Sequence, residues 1–167
     1  MNETNLDALT MEQVRAMDNA ALRVLVAEML DYRIYEGNGR YGRYVFCGPW
    51  LAEYTERQLE RFWDMARSYT TPEAAKTSQD VPDWPEDLDY AVDLLHTLMK
   101  PNDGFHWHLA TEAPDSFVCI AGYEGMAAER HKERGEIVRV LEYAPTPARA
   151  VTLAWVAWKL ATREATA

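Results

Sequence analysis

Apolar side chains recur at helical spacing in several stretches of the chain. Leu22, Leu25, Val26, Met29 and Leu30 fall on one side of a helix over Asn19–Leu30, with Asp18 placed to cap it. Ahead of it, Thr10 and Gln13 make a capping-box pattern, which predicts a short first helix broken near Met17. Leu51, Leu59, Phe62, Trp63 and Ala66 predict a further helix over Leu51–Arg67. From Ser68 to Pro85 the pattern lapses around Pro72, Pro82 and Pro85, which reads as a surface connection with one helical turn at Pro72–Ala75. The clearest helix is Glu86–Met99. Leu88, Ala91, Val92, Leu94, Leu95, Leu98 and Met99 cover half of its wheel, and Pro101-Asn102-Asp103-Gly104 stops it. Thr146-Pro147 then opens a last helix running to about Thr162. Its strip of Ala150, Ala154, Ala157 and Ala161 suits close packing on a sheet; Trp155 and Trp158 flank the strip, one of them towards solvent or a partner chain.

Alternation at a period of two marks the strands. Tyr32–Glu36 and Tyr41–Cys47 bracket Asn38-Gly39, the pair that favours a two-residue type I′ hairpin turn. That register sets Ile34 opposite Arg43 and Arg33 opposite Tyr44, gathering Arg33, Tyr35, Tyr44 and Phe46 on one face. In Phe105–Ala110, the apolar Phe105, Trp107 and Leu109 alternate with His106 and His108. Phe117–Tyr123 is apolar on both faces, which predicts a central strand covered from both sides, and Glu136–Ala144 is a third strand. The expected core includes Leu88, Leu95, Leu98, Ala154, Ala157, Phe117 and Ile120. The predicted fold is α+β: a layered sandwich with a mostly antiparallel sheet flanked by helices, preceded by a helix and a hairpin.

Size and composition narrow the classes of function. At 167 residues the expectation is one domain, with a core from 18–47 and 80–163 and a helical insertion plus linker at 48–79. No apolar run reaches the roughly 20 residues that span a bilayer, and the polar start Met1–Asp7 is unlike a signal peptide. The isolated Cys47 and Cys119 suggest a reduced compartment without disulfides. A net charge of −10 argues against general DNA or RNA binding, because phosphate contacts need a basic footprint. The helix–strands–helix order over Glu86–Thr162 is shared with double-stranded RNA-binding domains, but Thr146–Ala150 carries one cation where those domains need a lysine cluster.

Catalytic patterns are lacking. The sequence has no Gly-x-Ser-x-Gly elbow, no helical His-Glu-x-x-His and no phosphate-binding glycine loop leading into a helix. His106 and His108 point the same way on a strand, but His96, His131, Cys47 and Cys119 offer no third ligand at a diagnostic spacing, so no metal or other cofactor is expected. What remains is basic and aromatic: Arg33, Arg40 and Arg43 among Tyr32, Tyr35, Tyr41 and Tyr44, and a second cluster of Arg130, His131, Lys132 and Arg134. Guanidinium groups hold phosphate and rings stack bases, so such a set suits a small nucleotide-type ligand. The candidate site is Arg33 or Arg43 for phosphate, Tyr35, Tyr44 or Trp107 for a base, and His106 and His108 for ribose or phosphate. Trp107 cannot share a flat strand face with both histidines, so one of these assignments must fail.

Three segments resemble the phage ABA-sandwich domain family of bacteriophage and prophage proteins. Asn19–Leu30 is similar to its opening LDALVAE helix, Val81–Val92 to its P-x-Y-S-x-D entry to an amphipathic helix, and Ala144–Ala150 to the start of its Ala-rich last helix. Pro85-Glu86 replaces the usual Ser-Thr of the middle motif, and Gly48–Gln79 stands outside the resemblance. The resemblance implies a layered sandwich of phage origin working in the host cytoplasm, and it carries no catalytic motif. The function expected from it, together with the residues, is a non-catalytic accessory protein that sequesters a nucleotide-derived host immune signal. Alternatives are an inhibitor binding a host defence protein through its acidic surface, and a small-nucleotide hydrolase. The apolar circumference of the last helix beside Trp155 adds the expectation of a homo-oligomer.

Overall fold

The computed structural model describes residues 8–40, 42–99 and 104–164. Met1–Asp7, Tyr41 and the helix-stop residues Pro101–Asp103 lie outside them. The fold is α+β, with helices and two antiparallel sheets of two and three strands. The chain divides into two compact units, one running to Asn19 and resuming at Asp83, the other being Ala20–Pro82. The hairpin, expected to share a core with residues 80–163, clusters instead with the segment 48–79.

The first unit holds α1 (Met11–Ala16), α5 (Leu88–His96), β3 (Phe105–Ala113), β4 (Ser116–Tyr123), α6 (Gly125–Glu133), β5 (Arg139–Ala144) and α7 (Pro147–Glu164). Its sheet has the order β3-β4-β5 with β4 central. The register Phe105↔Tyr123 and Ala121↔Val140 puts Phe105, Trp107, Leu109, Cys119, Ala121 and Glu142 on one face. That face meets α7: the Trp158 ring lies 4.8 Å from Phe105 and 5.6 Å from Tyr123 at steep angles. On its far side α7 packs against α5, and the Trp155 indole N–H donates to Thr97 Oγ1 at 3.2 Å. Ala150 through Trp158 are buried without a break, and Trp155 is 0% exposed. An all-round apolar helix is thus the centre of this unit, as its composition requires. The homo-oligomer expectation rested on an exposed Trp155 and loses that premise.

Polar ties fix α7 at its start. Thr146 Oγ1 accepts the Arg149 N–H at 3.3 Å. The Arg149 guanidinium donates to the carbonyls of Arg15 at 3.1 Å and Met17 at 2.5 Å, and to Asn19, closing the end of α1. Thr152 Oγ1 donates to Trp84 O at 2.9 Å. Arg15 holds the buried Glu142 carboxylate with two hydrogen bonds of 2.7 and 2.8 Å. The capping box at Thr10 and Gln13 and the break at Met17 form as expected.

Several expectations change. Ala154, Ala157 and Leu95 are buried, and Leu98, Phe117 and Ile120 half-buried, but Leu88 is 39% exposed. Leu88 shares its azimuth on α5 with buried Leu95, so the cover over α5 stops short of its first turn. On the face away from α7, β4 buries Val118, while His106, His108, Arg139, Leu141 and Tyr143 on the neighbouring strands are exposed. Its apolar character there comes from sitting between two neighbouring strands. α6 was not expected at all; Glu124 to Glu133 is polar, and its only buried residue is Ala127.

The second unit holds α2 (Asn19–Met29, beginning at the boundary), β1 (Arg33–Glu36), β2 (Tyr44–Cys47), a 3-10 turn at Pro49–Glu53, α3 (Glu56–Met65) and α4 (Pro72–Lys76). The expected helix over Leu51–Arg67 is divided because Gly48-Pro49 starts the 3-10 turn and Thr55 with Gln58 caps a new helix. The hairpin register slips by three residues: Ile34 pairs with Phe46 and Arg33 with Cys47. Neither Asn38 nor Gly39 has the positive φ that a type I′ turn needs. The loop is instead held open by Tyr69, which bridges to Tyr44 across 2.8 and 3.0 Å backbone hydrogen bonds. A Cβ at Gly42 would collide with the Tyr69 backbone, so glycine serves close approach there rather than a tight turn.

Two substitutions check the role of α7. Trp155→Ala should cost about 3–5 kcal/mol of unfolding free energy. Ala157→Leu should cost about 1–3 kcal/mol by overpacking. Chemical denaturation measures both, and Met126→Ala, at a site 84% exposed, should stay within about 0.5 kcal/mol of the parent.

Candidate functional site

The slipped register separates the residues expected to act together. Arg33 and Tyr35 now share a face with Val45 and Cys47, while Tyr44 shares the other with Ile34 and Phe46. Their charges are also answered within the hairpin: Arg43 pairs with Glu36, and Arg33 lies 3.8 Å from Asp31. Within the expected set, Arg33 and Tyr35 thus lie on the opposite face of the hairpin from Tyr44. The second basic cluster is partly occupied, with His131 and Arg134 both beside Glu136. Arg130, His131 and Lys132 lie in the last turn of α6, where the helix dipole favours cations, and His131 stacks on Tyr123 at 3.6 Å with its Nδ1 against Glu136.

Sequence reasoning missed the place where the second unit does concentrate rings. A cleft of about 240 Å³ is lined by Tyr32, Phe46, Trp50, Phe62 and Tyr69, with Arg67, Asp80, Ser78 and Cys47 among them. Consecutive residues Val45, Phe46 and Cys47 all line it, so it runs along the edge of β2. The chain builds it locally. The 3-10 turn brings Trp50 within 5.8 Å of Phe62 on α3 at 79°, and Tyr32 meets Phe46 edge-on at 5.7 Å. The available signal was aromatic content at Trp50, Phe62 and Tyr69, which lie in three separate elements and share no spacing.

One wall of the cleft is polar. The Tyr69 hydroxyl donates to Asp80 Oδ2 at 3.0 Å, and no described residue partners the other carboxylate oxygen. Burial holds the Tyr69 hydroxyl above the usual phenol range; the bond to Asp80 adds to this, while Ser78 and Arg67 oppose it. The Arg67 guanidinium is exposed and has no partner among the described residues. Burial pushes the Cys47 thiol up to about 11, so it stays protonated at neutral pH and is a weak nucleophile.

In the first unit, His106 and His108 do project from one face of β3, and Trp107 lies on the other, its ring 6.4 Å from His96. The conflict foreseen for Trp107 is resolved against it: the indole faces the helices and cannot stack a ligand beside the histidines. Among the described residues no three His, Cys, Asp or Glu side chains converge as a metal site. Cys119 is fully buried, its thiol pushed up to about 12 by desolvation.

All the resolved thiol and phenol shifts are upward, for Cys47, Cys119, Tyr32 and Tyr69. The folded state then keeps protons that the unfolded chain loses, so stability is full below about pH 9 and falls as pH rises through the folded values. The melting temperature should decline from about pH 9 upward, and less steeply in Cys119→Ala.

Among families, curated proteins and solved structures, no match to this chain is found.

Proposed function

We propose that the chain binds and holds a small phosphorylated planar ligand, of the nucleotide type, in the ring-lined cleft of Ala20–Pro82. The observation that carries this reading is the gathering of five rings, the Arg67 guanidinium and a carboxylate oxygen without a described partner in one cleft. Its volume of about 240 Å³ lies just under the roughly 300–1,000 Å³ of small-molecule sites, so it suits the planar part of such a ligand, with the rest left in solvent. Base-on-ring stacking is worth about 1–3 kcal/mol. Asp80 can accept from an exocyclic amine or ring N–H, and Arg67 can donate to phosphate. These are groups that hold rather than transform. Sequestering a host's nucleotide signal, the role implied by the phage-family resemblance, needs only such a holding site.

A second reading is capture of a host protein through an acidic surface. It is favoured by α3, where Glu56, Glu60 and Asp64 are exposed at four-residue spacing beside Leu59 and Trp63.

One experiment separates the readings. The protein is titrated by calorimetry with cyclic and linear nucleotides, then heat-denatured and its supernatant chromatographed. Recovery of the intact nucleotide supports holding, recovery of products points to a hydrolase, and no heat with any nucleotide leaves the protein-capture reading. Trp50→Ala and Arg67→Ala should each weaken binding about tenfold or more, and unchanged affinity in both would overturn the assignment.

A further inference from the structure

The open face of the three-stranded sheet carries a second feature that the cleft does not use. Three residues form one row across the strands: His106 on β3, Gly122 on β4 and Arg139 on β5. His108 follows on the same face of β3, opposite Ile120. Gly122 presents no side chain, and none can be added, because a Cβ there would collide with the Val138 carbonyl and come within 2.8 Å of Arg139 Cα. At Gly122 the β5 backbone crowds close, and the His106 and Arg139 side chains border one cavity, with His108 and Glu124 beside them. Two strand spacings separate the backbones of His106 and Arg139 by roughly 10 Å.

Charge selects the guest. The side chains of His106, His108 and Arg139 make no hydrogen bond or ion pair to any described residue, although the chain carries 27 acidic side chains against 17 Lys and Arg. A metal ion is disfavoured by the guanidinium and by the lack of a third ligand among the described residues. An imidazole offers an N–H donor in either charge state, and Arg a planar fork that matches phosphate oxygens. Glu124, at the rim of the same cavity, is the only acidic residue lining it among the described residues, and it opposes an anion.

We propose that this notch is a binding site for a phosphate-type oxyanion, held between Arg139 and His106 with His108 beside them. It lies in a different unit from the ring-lined cleft and does not depend on it.

The test uses inorganic phosphate and pyrophosphate as probes, titrated against the full chain at constant ionic strength, with histidine ring signals followed by NMR. The site predicts saturable shifts of His106 and His108, stronger with pyrophosphate. Arg139→Gln should weaken binding about tenfold or more, and Glu124→Gln should tighten it about two- to fivefold, opposite signs that a general salt effect does not produce. Arg57→Gln, at an exposed position of α3 outside both cavities, should leave the phosphate response unchanged. Linear, unsaturated shifts, or equal responses in Arg139→Gln and the parent, would overturn the site. A variant that fails to fold is recognised by its NMR spectrum, and Arg139→Lys then serves in its place, with weakened binding expected from loss of the planar fork.

Discussion

A helix with no polar side must be covered all round, and that constraint organises residues 83–164. Between Ala150 and Trp158 every α7 residue is buried, so sheet and helices must lie on opposite sides of it. The small Ala154 and Ala157 let neighbours approach, while Trp155 and Trp158 fill the space to either side. Each large side chain so buried contributes about 1.5–3 kcal/mol. The polar groups that accompany it are matched: Thr152 donates to the Trp84 carbonyl, the Trp155 N–H finds Thr97, and Arg149 takes up the carbonyls that end α1. Covering α7 uses one face of the sheet, where Phe105, Cys119 and Ala121 are buried. The other face is left to water, which is why imidazole and guanidinium groups can stand on it.

The second unit follows another logic. Its two-stranded sheet is too small to bury a face by itself, and strand pairs of this kind are marginal without further cover. Here Tyr69 adds a bridge at the free edge of β2, and aromatic side chains from the 3-10 turn and α3 close over the strand. α3 buries none of its residues fully, so these rings remain partly in contact with water. Rings that close a small core while staying reachable make a receptive surface. The same economy of cover that limits this unit's stability creates its cleft.

How much of this could be read from sequence depended on the range of the interaction. Elements set by neighbours within a few residues were legible: the Thr10–Gln13 box, the break at Met17, the turn of helix at Pro72, the three strands of the larger sheet and the start of α7 at Pro147. Elements set by a distant segment were not. The hairpin register was decided by Tyr69, twenty-five residues after its bridge partner Tyr44, and the resulting slip of an odd number of residues exchanged the faces of the expected site. α6 escaped because its one buried residue gives no period to detect. His106 and His108 were placed on one face correctly by alternation. Arg139 escaped because β strands far apart in sequence meet only in the folded sheet.

Charge balance explains why the basic residues that looked functional in sequence are not those at the cavities. Acidic side chains outnumber Lys and Arg by 27 to 17, so most basic groups near the chain's carboxylates are answered. Arg15 is held by Glu142, Arg43 by Glu36 and Lys76 by Glu28, and the exposed pairs among these add little stability while still occupying the cation. Clustering in sequence therefore marks basic residues with acids close at hand, as at Arg43 and at His131. A cation becomes available to a ligand where the fold separates it from those acids. Arg67 reaches that state at the rim of a ring-lined cleft, and Arg139 on a sheet face across from a glycine. Exposed helix arginines such as Arg57 and Arg61 line neither of these two cavities. Concavity together with an unanswered charge, rather than local basicity, is what distinguishes the two sites.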